Sequence, residues 1–232
     1  MANTRPIVRE HTDVRAWINA AVTDIAGWLK AELQGGGHAR LLVSGGTTPG
    51  PVYEALSAVK LAWNRIDIAL VDERWVPPGS ADSNALLVQR SLLTDAAAAA
   101  HFEPLLMANR NLEESVAAAN LSSRSAAVAI LGMGPDGHTA SLFPAMHNFE
   151  DVLASHADYV AIDADGCPGA GAWRRRISLT PAGLGRARHR LLLIRGEDKR
   201  ELLRRAMTGD DTHELPIRLA FAGTPLVVHW CP

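Results

Sequence analysis

Apolar residues follow two alternating patterns along this chain. Val14, Trp17, Ile18, Ala21, Val22, Ile25, Trp28, Leu29 and Leu33 recur at intervals of three and four. They predict an amphipathic helix over residues 12–33, ended by Gly35-Gly36-Gly37. Short continuous apolar runs at 40–43, 66–71, 126–131 and 191–194 predict buried strands. A last strand is predicted at 226–230, and weaker ones at 159–162 and 177–179. Helices are predicted between them. One runs through about Ser57, with Thr48 as N-cap and Pro49 as its first residue. Others cover 83–93, start at a capping box of Asn111 and Glu114, and cover 198–207. The alanines at 96–100 read as a helix end or loop.

Apolar strands separated by helices predict a mostly parallel sheet flanked by helices. No linker-like segment or internal repeat divides the chain, so one α/β domain over residues 1–232 is expected. In such sheets ligands sit beyond the carboxyl ends of the strands. That rule selects segments 44–50, 72–84 and 132–144, which are also the least ordinary stretches of the sequence.

Composition narrows the function classes. The chain has 232 residues, 47% hydrophobic and 21% charged, with formal net charge −2, so disorder and a basic nucleic-acid face are not expected. An anion site must therefore be local. Two cysteines, Cys167 and Cys231, make no disulfide framework. The first 17 residues are polar and no membrane-length apolar run follows, so no signal peptide or span is expected, and a reducing cytoplasm is the expected compartment. Neither a cysteine pair at zinc spacing nor His-Glu-x-x-His occurs, so no metal is expected.

The first segment, Ser44-Gly45-Gly46-Thr47-Thr48-Pro49, opens a helix. Glycines let the backbone approach a ligand, threonines add hydroxyls, and the first amides of a helix are unpaired. A phosphate cradle and a plain tight turn both suit it; a Walker loop does not, because no Lys-Ser or Lys-Thr follows. In the second, Asp72-Glu73-Arg74 follows an apolar strand. The carboxylate suits a base or orienter and the arginine suits an anion or oxyanion clamp, although a solvated ion-pair cluster would need the same residues.

In the third, Gly132-x-Gly134-x-x-Gly137 formally fits a dinucleotide fingerprint, but Phe143-Pro144 interrupts the helix that fingerprint requires. No dinucleotide is expected. What matters is His138, an imidazole on a glycine-rich loop at a strand end and so a candidate general base, with Asp136 beside it. Arg176 and Lys199 are cations that either meet a phosphate or lie in solvent.

Taken together, Ser44–Pro49, Val71-Asp-Glu-Arg-Trp-Val76 with Asp82-Ser-Asn84, and Leu131-Gly-Met-Gly-Pro-Asp-Gly-His-Thr-Ala-Ser-Leu-Phe-Pro144 resemble the 6-phosphogluconolactonase family. Arg175-Arg176-Ile-Ser-Leu-Thr180 and Gly196-Glu-Asp-Lys199 resemble its later segments, in the same order. Thr47 stands where that family usually has serine, and keeps the hydroxyl. The resemblance implies the fold shared with glucosamine-6-phosphate deaminases and ribose-5-phosphate isomerases. It implies hydrolysis of 6-phospho-D-glucono-1,5-lactone without a cofactor, in the oxidative pentose phosphate pathway. The expected partner is that small lactone, with no nucleic acid and no membrane, and the protein is expected as a monomer or small homo-oligomer. The deaminase relatives carry Asn-Glu-Pro after the histidine motif; here Ser141-Leu142-Phe143-Pro144 has no acid, which favours the lactonase.

On this reading His138 activates water and Asp136 orients it. Arg74 serves the oxyanion or the phosphate. Gly45, Gly46, Thr47, Thr48, Arg176 and Lys199 hold the phosphate. Asp72 is included because it is the base in the deaminase relatives.

Overall fold

The computed structural model describes residues 4–77 and 79–232. Three residues of the polar N-terminal stretch, and Pro78 in the loop before Asp82, lie outside the described residues. A seven-stranded parallel sheet forms the centre. Its strands are β1 (Ile7–Glu10), β2 (Ala39–Val43), β3 (Ile66–Leu70), β5 (His101–Glu103), β6 (Ala126–Leu131), β9 (Ala187–Arg195) and β10 (Leu226–Cys231), in the order β1-β10-β9-β6-β2-β3-β5. Every residue of β2, β3 and β6 is buried, as expected for strands covered on both faces. The buried apolar side chains form one continuous core.

The helix α1 (Val14–Gln34) lies on one face, capped by Asp13, which accepts from the Ala16 amide at 2.9 Å. Its buried stripe is Trp17, Ala21, Ile25, Leu29 and Leu33, the residues the three-four spacing selects. The short α2 (Gly50–Ser57) packs against α1. The other helices are α3 (Asn84–Ser91), α4 (Leu112–Ser122), α5 (Phe149–Ala154), α6 (Pro181–Gly185) and α7 (Glu197–Thr208). The capping box forms: Asn111 and Glu114 exchange side-chain and backbone hydrogen bonds of 2.8 and 2.9 Å.

Three expectations change. Thr48 makes no capping bond; Pro49 stands at the N-cap position and the helix begins at Gly50. The segment after β3 is not a loop at once: Asp72–Arg74 forms strand β4. The weak strands β7 (Tyr159–Asp163) and β8 (Arg175–Leu179) do not join the main sheet but pair with β4 in a separate antiparallel sheet, order β4-β8-β7. Val71 is the branch point, since its amide donates to Val43 O and its carbonyl accepts from Leu179 N, each at 2.9 Å. The alanine run lies in a 3-10 turn, Asp95–Ala99. As the sequence predicts, no helix follows Gly137; the next is α5.

This order defines a switch point. From β2 the chain steps outward through β3 to β5; from β6 it steps the opposite way through β9 to β10. The loops leaving β2 and β6 therefore diverge and open a crevice at their carboxyl ends, where open α/β sheets bind ligands.

Candidate active site

A cavity of about 340 Å³ occupies that crevice. Residues from all three predicted segments line it: Gly45, Gly46, Thr47 and Thr48 from the first, Asp72 and Arg74 from the second, and His138 from the third. Arg176 and Lys199 line it as well. Asp136 does not line it but holds the imidazole from behind.

His138 is set by its own loop. Asp136 Oδ1 stands 2.5 Å from His138 Nδ1 and 3.2 Å from its amide. With Nδ1–H donating to the carboxylate, Nε2 is left as the basic nitrogen. Burial acts to raise the Asp136 carboxyl, but the His138 hydrogen bond and charge outweigh it and hold its pKa below the usual value. Phe143 packs on the imidazole with ring centroids 4.4 Å apart. A Cβ on Gly134 would stand 2.1 Å from His138 Nδ1, so only glycine leaves room for this ring. Ala140, also lining the cavity, is held at φ 51°, a strained conformation of the kind that gathers at functional sites.

The alternation of β4 sorts the three charges. Asp72 and Arg74 face the cavity. Glu73 points the other way and is fully buried. Its carboxylate accepts from the amides of Arg74, Asn84 and Ala85 and from the Ser83 hydroxyl, at 2.8–2.9 Å. It thereby clamps the start of α3, and burial pushes its pKa up despite these donors. The clamp delivers Asn84 to the cavity, where its Nδ2 donates to Asp72 O at 2.8 Å.

The cations are fixed by backbone carbonyls. Arg176 Nε donates to Trp173 O at 2.9 Å and Nη2 to Ala170 O at 2.7 Å, which leaves Nη1 facing Ser141 Oγ at 3.5 Å. Ser141 in turn donates to Asp72 Oδ2 at 2.6 Å. Arg74 donates to Asp82 O at 2.7 Å and Lys199 Nζ to Met133 O at 2.7 Å. Burial lowers the pKa of both Arg176 and Lys199.

Sequence reasoning gave no role to Asn84 and Arg195, which also line the cavity, as does Ser44 at the head of the predicted cradle. Ser44 Oγ is buried without a hydrogen-bond partner among the described residues. Asn84 had a signal, its place at a helix start; Glu73 as its anchor had none, because the pairing runs across a turn.

One group among the described residues, Asp67, His101 and Glu103, has donor atoms close enough to hold a metal ion. It lies away from the cavity, and Arg40 and Arg124 already pair with its carboxylates.

A parallel sheet whose switch-point cavity sets an oriented imidazole among a glycine-rich nest and fixed cations defines an α/β enzyme for a small anionic substrate. The chain belongs to the glucosamine-6-phosphate isomerase/6-phosphogluconolactonase family, whose model matches residues 12–230. It is 45% identical over 226 residues to the 6-phosphogluconolactonase of Xylella fastidiosa (strain Temecula1), covering 95% of this chain and 94% of that one. The crystal structure of a 6-phosphogluconolactonase from Shewanella baltica superposes with a TM-score of 0.89 at 31% identity, covering 98% of each chain. A monomeric glucosamine-6-phosphate deaminase shares the fold, with a TM-score of 0.77 at 17% identity over 97% of each chain.

Proposed function

We propose that this chain hydrolyses 6-phospho-D-glucono-1,5-lactone to 6-phospho-D-gluconate, a step of the oxidative pentose phosphate pathway. The whole chain acts as one catalytic domain in a reducing cytoplasm. No described helix is long and apolar enough to cross a membrane. The observation that carries the reading is one cavity containing both the Asp136-oriented His138 and the Gly45–Thr48 corner.

A lactone is an ester, so the chemistry asks for an activated water and support for an oxyanion. His138 Nε2 takes a proton from water as its oxygen bonds to C1. The tetrahedral intermediate then collapses: the bond from C1 to the ring oxygen breaks, and the imidazolium returns the proton to that oxygen. The carboxylic acid product ionises. Asp136 keeps the imidazole in the required tautomer and stabilises its cation.

The amides and hydroxyls of residues 44–48 hold the 6-phosphate together with Arg176 and Lys199, which fixes C1 near His138. Arg74 lines the same cavity and serves the oxyanion or the phosphate. Asp72 has both a serine and an asparagine on it, which suits a group that orders the cavity floor rather than one that exchanges protons.

The test is loss of freshly generated lactone above its spontaneous rate. Ammonia release from glucosamine 6-phosphate, without lactone turnover, would replace this reading with a deaminase. Binding without turnover of either would leave a sugar-phosphate sensor.

A further inference from the structure

Arg195 is the last residue of β9 and lines the cavity. Strand alternation gives its direction. His189, at the same parity in β9, stacks on Trp28 of α1 with ring centroids 4.6 Å apart. Cys231 pairs with Arg195 in register and shares a face of β10 with His229, whose Nε2 lies 3.0 Å from Asp24 of α1. Trp230, one residue away, faces α7 instead, with the Arg200 guanidinium 4.3 Å from its ring. Side chains two apart share a face, so Arg195 leaves the sheet on the α1 side. The 44–49 corner leads into α2, which packs against α1, so it lies on that side too. Lys199 arrives from α7 on the opposite side. Two cations thus straddle the cavity mouth.

They differ in engagement. Lys199, Arg74 and Arg176 each donate to backbone carbonyls. Among the described residues, the Arg195 guanidinium has no carboxylate or carbonyl partner; its polar neighbour is the Cys231 thiol. An arginine presents a planar fork suited to phosphate oxygens, and a fork without a partner beside a glycine-rich corner is ready for one.

We propose that Arg195 is a specificity-determining residue that closes on the substrate phosphate from the α1 side, opposite Lys199. Its role is to favour the phosphorylated lactone over the unphosphorylated one. This rests on the lactonase reading and on the phosphate sitting at the 44–48 corner.

The experiment compares the full chain with Arg195→Ala and Arg195→Lys on 6-phosphogluconolactone and on glucono-1,5-lactone. For Arg195→Ala, KM for the phosphorylated lactone should rise about tenfold with kcat within a factor of about two, as for loss of one charge-assisted hydrogen bond. Inhibition by inorganic phosphate should weaken by a similar factor. The selectivity ratio between the two lactones should fall accordingly, and Arg195→Lys should recover part of it. An unchanged ratio overturns the proposal, whether both lactones suffer equally or neither does. Turnover by the unaltered chain in the same assay shows whether the lactonase reading itself stands.

Discussion

The Oδ1 atom of Asp136 lies 2.5 Å from Nδ1 of His138, although only Gly137 separates them in sequence. The left-handed backbone of Gly137, at φ 81°, turns the chain so that neighbouring side chains meet. Gly169, from a separate loop, closes the far side of the pair: a Cβ there would stand 2.1 Å from Asp136 Oδ2. The dyad is thus a local feature sealed by a distant one.

His138→Ala is expected to lower kcat on the order of 10²-fold or more, with a smaller effect on KM, because the general base is lost and the phosphate contacts remain. Asp136→Asn is expected to lower kcat too, by disturbing the tautomer. Steady-state kinetics on the lactone check both. Near-full activity of His138→Ala would remove it from the mechanism.

Two glycine substitutions should separate chemistry from binding. Gly169→Ala pushes on Asp136 and should reduce kcat. Gly45→Ala would place a Cβ 1.8 Å from Asn84 Oδ1, so Asn84 must leave its place at the cavity wall and KM should rise. Kinetics of the two variants beside their melting temperatures test this. If both changed only stability, the packing would carry no functional information.

The acid limb of stability should contain two opposing contributions. Asp136 is held below its ordinary 3.8, so its contribution is present above that value and lost as pH falls through the folded pKa. Glu73 is held above its ordinary 4.5, so the fold takes up its proton first and gains relative stability as pH falls through that window. Asp136→Asn should therefore flatten the loss of stability below about pH 4. Glu73→Gln should remove a gain above about pH 4.5. Urea midpoints measured across this range against the unaltered chain check the signs: the pH slope should become shallower for Asp136→Asn and steeper for Glu73→Gln, and changes of the same sign in the two variants would refute the assignment.

Lys199→Ala should raise KM for the phosphorylated lactone about tenfold, the cost of one charged hydrogen bond. Burial lowers the Lys199 pKa, so its charge is lost at lower pH than that of a free lysine. Binding by the unaltered chain should accordingly weaken on the alkaline side before the ordinary 10.5, and the variant should lack that limb. Unchanged apparent affinity would argue against a phosphate role.

Much of this protein can be read from sequence because its signals are local. The three-four stripe of α1, the capping box of α4 and the apolar runs of β2, β3 and β6 each depend on neighbours a few residues away. The three carboxyl-end segments follow from where the predicted strands end and from their unusual residues, and His138 stands out by its place among glycines. Tertiary structure decided the rest. Asp72–Arg74 reads as the charged start of a loop because a three-residue strand has too few positions to show a period, and its partner β8 is about a hundred residues away. Its alternation sends Glu73 to anchor α3 and Asp72 to the cavity. Asn84, Gly169 and Arg195 acquire meaning only where their elements meet the cavity or the dyad, since which strand face a side chain takes is fixed by what packs on either side of the sheet.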